Sequence, residues 1–585
     1  MTPFRIERVP FRRADVEVHA GLNPQFRNWP IVYVIDGVRQ RSRPGLYVGE
    51  TANAQKRMVQ HLSGPKRGAR LDTIRVVIDE RFNKSACLDL ESHLIRWFSG
   101  EARYEVLNSN AGLTADAQYF DRDQYRESFR EIFDQLRTEG LFARSIADIE
   151  NSDMFKLSPF KALSEDQNIA VDGILKALLE DLRALSTASS LVVQGGPGTG
   201  KTVIAIFLIK LLADISAYRP NDDLEFDSIF ADYFLEGNRE TLANLRMALV
   251  IPQQSLRESV KRVFRKTPRL DPTMVLTPFQ LAESAAEFDL VFVDEAHRLG
   301  QRANQASGPQ NKKFREINEA LFGADDAQLT QLDWVRARSH HQILLIDEQQ
   351  SVRPHDLAPI TLREVVHAAK GNGHHFHLMT QMRVKAGSDY VGFVRAALRG
   401  ESPTRPDLGD YDLRFFDDLS VMRAAIRSAD QSVGLSRLVA GYAWDWVTKA
   451  KKNNKNPGAF DIELDGERLR WNTAAKDWIN SAGAVNEVGS IHTVQGYDLN
   501  YAGVIIGPDL RLDPTSGRIV ADRKNYRDKK GKENTGSFAG GFSDEQLLTF
   551  IRNIYGVLLT RGILGTYVYV CDPGLRERLR RVFEG

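Results

Sequence analysis

Cysteine is scarce in this sequence: only Cys87 and Cys571 occur among 585 residues. The two lie far apart and show no metal-ligand spacing, so a disulfide framework is excluded and a reducing compartment is favoured. Long apolar runs are also missing, and no stretch is long and apolar enough to cross a bilayer. The N-terminal residues lack the apolar core of a signal peptide. We therefore expect a cytoplasmic protein without a membrane partner.

Excess charge of one sign is missing as well, since the net charge is only +1. The distribution is uneven, because residues 1–110 contain 18 Lys and Arg against 12 Asp and Glu. A local basic surface is what a phosphate backbone needs, although a solvated basic face explains the same count. The composition is that of a soluble globular protein, and the length predicts three or four domains.

Short apolar runs recur from about residue 160, each followed by polar or glycine residues and separated by helix-length segments. Continuous apolar strands that alternate with helices are typical of parallel sheets buried on both faces. Such sheets bind ligands at the carboxyl ends of their strands. We therefore predict an α/β fold. The runs are 191–193, 248–251, 290–293, 343–346, 503–506 and 566–570.

The segment GGPGTGKT fits the phosphate-loop pattern G-x-x-x-x-G-K-[ST] between an apolar strand and an apolar helix. Glycines let backbone N–H groups close around phosphates, and the helix N-terminus adds a favourable dipole. We expect Lys201 to reach the β- and γ-phosphates of ATP and Thr202 to hold Mg²⁺. The predicted ATP-binding loop comprises Gly195, Gly196, Pro197, Gly198, Thr199, Gly200, Lys201 and Thr202.

An acidic pair follows the apolar run at 290–293. Asp294, at a strand end near the phosphate loop, is the expected second Mg²⁺ ligand, and Glu295 is placed to polarise the attacking water. Such a pair can also cap a helix, but beside a phosphate loop it indicates ATP hydrolysis.

Further segments follow one another in the order found in superfamily-one helicases. With DEAH at 294–297 they resemble a DNA/RNA helicase core, in particular the Schlafen-type helicase domain, over about 155–575. The resemblance implies two RecA-like motor folds that clamp ATP between them. The segments are LSEDQ (163–167), LLIDEQQSVRP (344–354), LMTQMRV (378–384), VGSIHTVQG (488–496) and IRNIYGVLLTRG (551–562).

The helicase resemblance also implies roles for individual residues. Gln167 would read the adenine, and Gln350 would report the γ-phosphate to the strand-binding surface. Arg383 and Arg561 would supply the cations that stabilise charge on the γ-phosphate in the transition state. An ordinary salt bridge is the alternative for each arginine.

A second set of residues precedes the phosphate loop. In chain order they resemble the GIY-YIG endonucleases over roughly 80 residues, although Ile31 and Val32 replace the usual glycine and isoleucine of the first triplet. The residues that carry the resemblance are Tyr33, Tyr47, Gly49, Arg57, His61, Glu91 and Asn108.

Glu91 lies inside the apolar face of a predicted helix that Cys87, Leu90 and Leu94 mark. A buried carboxylate there is costly unless something pairs it. A divalent metal would do so, and one carboxylate with phosphate oxygens suits Mg²⁺, with Mn²⁺ as the second candidate. A salt bridge to an arginine such as Arg57 is the alternative.

Arg57 and His61 lie four residues apart and so share one helix face. The planar guanidinium of Arg57 suits the scissile phosphate. We expect His61 to be a catalytic residue as well. Either Tyr47 or Tyr33 would act as the general base on the attacking water. The high pKa of tyrosine then requires help from a metal or a nearby cation.

These patterns predict a GIY-YIG-like α/β nuclease domain followed by two RecA-like P-loop motor folds with parallel sheets. We expect an ATP-dependent translocase or helicase coupled to a metal-dependent endonuclease, acting on DNA in preference to RNA, in bacterial DNA processing, repair or anti-phage defence. The rival hypothesis is an ATP-switched binding protein with no translocation and an inactive nuclease module. A homo-oligomer or a protein partner is left open. The expected domains are 1–113 (nuclease), 114–157 (helical linker), 158–375 (first motor) and 376–585 (second motor).

Overall fold

A computed structural model describes most of the chain, which divides into two compact units. Among the described residues no helix combines the length and apolar character required to span a membrane. Unit 1 comprises 1–186, 202–245 and 259–275, and unit 2 comprises 187–201, 246–258 and 276–585. The described residues are 4–37, 43–63, 71–108, 119–184, 188–219, 229–302, 308–348, 350, 355–381, 384, 390–448, 459–474, 478–494, 497–528 and 543–584.

Unit 1 contains a five-stranded sheet. Its strands are β1 (Phe4–Pro10), β2 (Ile31–Gly37), β3 (Gly45–Thr51), β4 (Leu71–Asp79) and β5 (Glu105–Val106). The strand order is β1-β4-β2-β3-β5, in which all neighbours are antiparallel except the parallel pair β3 and β5.

Helices cover both faces of this sheet, and further helices follow it along the chain. They are α1 (Arg13–Leu22), α2 (Gln25–Asn28), α3 (Ala54–Ser63), α4 (Lys84–Glu101), α5 (Arg122–Thr138), α6 (Ile146–Glu150), α7 (Asp153–Lys156), α8 (Glu165–Arg183), α9 (Lys201–Ala217), α10 (Glu236–Leu242) and α11 (Gln254–Lys266).

Strand β2 shows why both faces are covered. Ile31, Tyr33 and Ile35 belong to the core that includes side chains of α1 and α3. Val32 and Val34 belong to the core that includes side chains of α4 and α5. Because successive side chains of a strand point to opposite faces, both faces of β2 are buried and the strand is continuously apolar.

Helix α5 forms where the sequence predicts a helix that connects domains, but its apolar stripe packs on the N-terminal domain. The ring of Phe133 lies 5.2 Å from that of Trp97 on α4 and 4.3 Å from that of Phe142. An amphipathic helix of 17 residues has to bury its stripe, and α4 offers the apolar surface. The core of the N-terminal domain therefore extends past residue 113.

Unit 2 contains two parallel sheets, of which the first has the strand order β11-β6-β10-β9-β7-β8. Strand β11 begins at His375, the residue predicted to end the first motor fold, and belongs to this sheet. The strands are β6 (Ser189–Gly195), β7 (Met247–Val250), β8 (Val275–Leu276), β9 (Phe288–Val293), β10 (Ser339–Ile346) and β11 (His375–Leu378). Its helices are α12 (Pro278–Ala282), α13 (Gly308–Phe322), α14 (Gln331–Ala337) and α15 (Pro359–Gly371).

The second sheet of unit 2 has the order β12-β20-β17-β13-β16 and is also parallel. Two antiparallel pairs, β14 with β15 and β18 with β19, accompany it. The strands are β12 (Asp412–Phe416), β13 (Ser436–Ala440), β14 (Ile462–Leu464), β15 (Glu467–Leu469), β16 (Val488–Ser490), β17 (Leu499–Ile506), β18 (Leu510–Leu512), β19 (Ile519–Ala521) and β20 (Gly562–Val570). The helices are α16 (Tyr390–Arg399), α17 (Leu419–Val433), α18 (Ile491–Val494), α19 (Asp544–Leu559) and α20 (Pro573–Glu584).

All six apolar runs found in the sequence fall on parallel strands of these two sheets. The predicted α/β fold, with a small N-terminal domain before two parallel sheets, is confirmed. Residues that follow β6, β9, β10 and β11 lie at the carboxyl edge of the first sheet, where parallel sheets bind ligands.

Candidate functional site

The loop after β6 requires glycine for its backbone and for space. Gly198 and Gly200 have φ angles of +80° and +83°, in the left-handed region that favours glycine. A Cβ atom on Gly195 would lie only 2.5 Å from Thr199 Oγ1. The glycines of the sequence motif are therefore needed for the shape of the loop.

Lys201 begins α9 and folds back over this loop. Its ammonium donates to the carbonyl oxygens of Gly195 (2.7 Å) and Gly196 (2.9 Å). It also lies 3.7 Å from Asp347 Oδ2, at the end of β10. These three partners are oxygens, and phosphate oxygens are stronger acceptors of the same kind. Thr202 is the next residue of α9.

The acidic pair lies directly after β9. Asp294 is fully buried, and its Oδ1 accepts from the backbone N–H of Glu295 at 3.0 Å. Glu295 has a φ angle of +53°, a left-handed conformation that costs a non-glycine residue about 1–3 kcal/mol. The surrounding structure therefore holds the Glu295 backbone in an unfavourable conformation at this position.

His297 connects the acidic pair to the end of β10. Its Nε2 lies 3.0 Å from Glu295 Oε2, and its Nδ1 accepts from the backbone N–H of Asp347 at 3.2 Å. Because Nδ1 accepts, the ring proton belongs on Nε2, which faces the carboxylate. Burial raises the pKa of Glu295, but His297 and then Lys201 outweigh it and hold that pKa well below its usual range. The carboxylate is therefore ionised at neutral pH.

Two glutamines complete the edge of the first sheet. Gln350 Nε2 donates to Asp347 Oδ2 at 2.6 Å, so Asp347 lies between this amide and the Lys201 ammonium. Gln381, which follows β11, donates to the carbonyl oxygen of Pro197 in the loop. The segments after β10 and β11 thus contact the loop that follows β6.

Gln167, predicted to read the adenine, is placed in another unit of the structure. Gln167 occupies the third position of α8 in unit 1, where its Oε1 accepts from the backbone N–H of Ser164 at 3.0 Å and completes a capping box. This hydrogen bond stabilises the start of α8. Arg383 lies outside the described residues.

Arg561 links two predicted helicase segments. Its side chain is 2% exposed and donates to the carbonyl oxygen of Tyr497 at 3.1 Å. The Tyr497 hydroxyl donates to the carbonyl oxygen of Ser255, on the segment after β7 of the first sheet, at 3.3 Å. A chain of contacts within unit 2 thus runs from Arg561 to the edge of the first sheet.

In unit 1, β2, β3 and α3 bring three predicted nuclease residues together. The Tyr33 hydroxyl lies 2.8 Å from His61 Nε2. The Tyr47 ring centroid lies 5.0 Å from that of His61 and 6.2 Å from that of Tyr33. All three side chains are buried. Ile31, in the place of the usual glycine, packs in the core on the same face.

Gly49 lies opposite Tyr33 in the β2–β3 pairing. A Cβ atom at this position would overlap the Tyr33 hydroxyl. Asn108 fixes the neighbouring residue of β3, since its amide accepts from Val48 N–H at 3.1 Å and donates to the Val48 carbonyl oxygen at 2.8 Å. These contacts explain why the sequence pattern has a glycine at position 49 and an asparagine at position 108.

The remaining predicted nuclease residues are on two helices. Arg57 is half-buried on α3, one turn before His61. Glu91 is 2% exposed on the face of α4 that also buries Cys87 and Leu90, as predicted.

Glu50 is a carboxylate that the sequence prediction missed. It follows Gly49 at the end of β3, and its Oε1 accepts from the Lys84 ammonium. Its Oε2 is buried and has no hydrogen-bond partner among the described residues. The signal that could have revealed it is an acidic residue at the end of a buried strand, next to the Tyr-Val-Gly triplet.

The donor set of unit 1 fits a magnesium-type ion. Among the described residues no group of three or more His, Cys, Asp or Glu side chains could hold a metal. Mg²⁺ is usually bound through one or two carboxylates together with substrate phosphates. Buried Glu91, with a buried and unsatisfied oxygen of Glu50 on the neighbouring strand, meets this requirement.

Comparison with protein families agrees with these geometries. A family model for the Schlafen group 3 DNA/RNA helicase domain matches residues 188–572. The chain belongs to this family. A model for the GIY-YIG catalytic domain matches residues 30–105. The predicted fusion of a GIY-YIG domain with a Schlafen-type helicase domain is confirmed, and the two domains imply the use of a nucleotide and of a divalent metal.

Similar individual proteins were found as well. The uncharacterized protein YPL245W of Saccharomyces cerevisiae is 26% identical over 415 residues, which cover 67% of this chain and 83% of that protein. The structure of arterivirus nonstructural protein 10 (helicase) with DNA matches at 11% identity and a TM-score of 0.28, covering 71% of this chain and 65% of that one. Pif1 helicase from Candida albicans matches at 12% identity and a TM-score of 0.25, covering 72% and 98%.

The contact between Gly49 and Tyr33 gives a testable expectation for the GIY-YIG domain. Gly49→Ala forces the Tyr33 hydroxyl away from its position and lowers the free energy of unfolding of this domain by about 1–3 kcal/mol. Gly21→Ala is the control: Gly21 is in α1 with nothing within 4 Å of its added Cβ, so this change stabilises by about 0.5–1 kcal/mol. Urea unfolding of both variants measures the difference, and equal effects would contradict the assignment.

Proposed function

We propose that this protein is an ATP-driven nucleic-acid motor coupled to a metal-dependent DNA endonuclease. The observation that carries the proposal is the connected network of Lys201, Asp347, His297 and Glu295. The network joins the phosphate loop to the ends of β9 and β10, so events at the nucleotide can be transmitted along the sheet edge.

In the proposed ATP site, Lys201 binds the β- and γ-phosphates, and Thr202 and Asp294 hold Mg²⁺. Bound Mg²⁺ would neutralise charge on the phosphates. The ionised Glu295 orients the attacking water and accepts its proton. The remaining proposed roles are adenine recognition by Gln167, γ-phosphate sensing by Gln350 and charge stabilisation by Arg383 and Arg561.

A second parallel sheet favours a motor over a simple nucleotide switch. A switch needs only one nucleotide-binding fold, whereas a motor needs a second fold that changes contacts during turnover. The contacts from Arg561 to Tyr497 and from Tyr497 to Ser255 support such coupling, because they join the residue just before β20 in the second sheet to the segment after β7 in the first sheet.

In the proposed nuclease, Arg57 binds the scissile phosphate and Glu91 holds the divalent metal. A bound metal would stabilise charge on the phosphate and the leaving oxygen. Between the two tyrosines we favour Tyr33 as the general base on the attacking water, because His61 Nε2 lies within hydrogen-bond distance of its hydroxyl and can take its proton. Tyr47 packs against the His61 ring and positions it.

The proposed substrate is DNA, and the proposed roles are DNA processing, repair or defence against phage in bacteria. The excess of Lys and Arg in residues 1–110, 18 against 12 acidic residues, supports a polyanionic substrate for the nuclease domain. In the proposed order of events the motor delivers a strand and the nuclease cuts it.

Separate variants should silence the two sites independently. Lys201→Ala should lower DNA-stimulated ATP hydrolysis at least about 10²-fold because the transferring phosphoryl group loses its cation. Glu91→Gln should lower Mg²⁺-dependent DNA cleavage about 10²-fold or more while leaving ATP hydrolysis unchanged. Both rates are measured on single-stranded and duplex DNA, with RNA of the same sequence alongside.

Certain outcomes of these assays would contradict the proposal. ATP hydrolysis that neither DNA nor RNA stimulates, with no strand displacement, would favour the ATP-switched binding protein. Stimulation and cleavage with RNA alone would refute the proposed substrate. Cleavage retained by Glu91→Gln would refute the metal assignment.

The two tyrosines can be distinguished by removing each hydroxyl. Tyr33→Phe should lower the cleavage rate about 10²–10⁴-fold, since it removes the proposed base together with its bond to His61. Tyr47→Phe keeps the ring that packs on His61 and should have a much smaller effect. Single-turnover cleavage measures both, and the reverse order of effects would assign the base to Tyr47.

His297 should control the pH dependence of ATP hydrolysis. In His297→Leu the group that most offsets the burial of Glu295 is lost, so the pKa of Glu295 rises toward its usual value. The base is active when ionised, so the acid limb of the rate–pH profile moves to higher pH. His341→Leu is the control, because His341 is also buried but bonds Ser189, away from the acidic pair. An unmoved limb in His297→Leu, or the same movement in His341→Leu, would refute this coupling.

A further inference from the structure

Glu50 is a half-buried carboxylate in which one oxygen has a hydrogen-bond partner and the other, which is buried, has none among the described residues. Its side chain is 13% exposed, and its Oε1 accepts from the Lys84 ammonium at the start of α4. Its Oε2 is buried without a hydrogen-bond partner among the described residues. A buried carboxylate oxygen without a partner is unfavourable unless a ligand completes it.

The position of Glu50 on the sheet directs it toward α4. In β3, Leu46 and Val48 belong to the core that includes α4. Because side chains of a strand alternate between faces, Glu50 lies on the same face as these two residues. Tyr47, in contrast, packs in the core with α3 on the opposite face.

The facing side of α4 carries the proposed metal ligand. Lys84, Cys87 and Glu91 are separated by three and four residues and so follow one another along one helix face. Burial raises the pKa of the Cys87 thiol, and the negative charges of Glu50 and then Glu91 raise it further. Both carboxylates therefore lie near the same thiol.

We propose that Glu50 is a second carboxylate ligand of the divalent metal that Glu91 holds, and that Lys84 forms an ion pair with Glu50 when the metal is absent. This inference rests on the proposed nuclease function. It goes beyond a site with a single carboxylate. Two negative ligands would strengthen metal binding, and the Lys84 ammonium would compete with the metal for Glu50.

The exchange of Lys84 for a metal is physically reasonable. The Lys84 side chain is 55% exposed, so its ammonium can return to water at little cost when it leaves Glu50. A divalent ion would then satisfy the buried Oε2 that the lysine does not reach. With two carboxylates, the remaining coordination positions are free for phosphate oxygens and water.

The test measures Mn²⁺ binding by electron paramagnetic resonance, using the full chain without nucleotide. All proteins carry Thr202→Ala, which removes a proposed metal ligand of the ATP site. In this background Glu91→Gln should abolish binding at the nuclease site, and Glu50→Gln should weaken it about tenfold or more. Asp89→Asn is the matched control: Asp89 is also on α4, its side chain is 14% exposed, and it bonds His93 and Tyr119 instead. It should leave binding unchanged.

Lys84→Met provides a second variant that keeps both carboxylates, so the proposal can be judged even if Glu50→Gln does not fold. Removing the competing cation should tighten Mn²⁺ binding severalfold, whereas a purely structural ion pair would give equal or weaker binding. Unchanged affinity in Glu50→Gln or in Lys84→Met, with binding lost in Glu91→Gln, would overturn the role of Glu50 but leave the nuclease proposal intact. Binding retained by Glu91→Gln would instead overturn the metal site itself.

Discussion

The ion pair between Lys201 and Asp347 is the interaction on which the rest of the helicase domain depends. Both side chains are nearly inaccessible to solvent, and removal of one member of a buried pair typically costs about 3–5 kcal/mol. Asp347 is joined through its carboxylate to Gln350 and through its backbone N–H to His297, which faces Glu295. If a phosphate replaces the carboxylate as the partner of Lys201, the change therefore reaches both the Glu295 carboxylate and the Gln350 amide.

Burial also organises the GIY-YIG domain, but there the constraint is space. The Tyr33 hydroxyl fits over Gly49 only because that residue has no side chain, and this placement brings the hydroxyl to His61. The opposite face of the same sheet carries the carboxylates, with Glu50 on β3 and Glu91 on α4.

Local sequence patterns predicted the parts of the structure that local physics determines. The phosphate loop, the acidic pair and the buried position of Glu91 each follow from a strand, a turn or a helix face that can be recognised in a short segment. The packing of Phe133 on Trp97, the link from His297 to Asp347 and the pairing of Glu50 with Lys84 join segments that are distant in sequence, and nothing local specifies them. Arg383 lies outside the described residues, so its role stays a prediction.

The central claim is that ATP turnover moves nucleic acid to the nuclease in the same chain. The most direct measurement maps cleavage positions on long duplex DNA that offers a single-stranded loading site at one end only. With ATP and Mg²⁺ the cuts should spread away from the loading end with time, and Lys201→Ala should confine them to that end. Identical cut positions with ATP, with a non-hydrolysable analogue and without nucleotide would contradict the account.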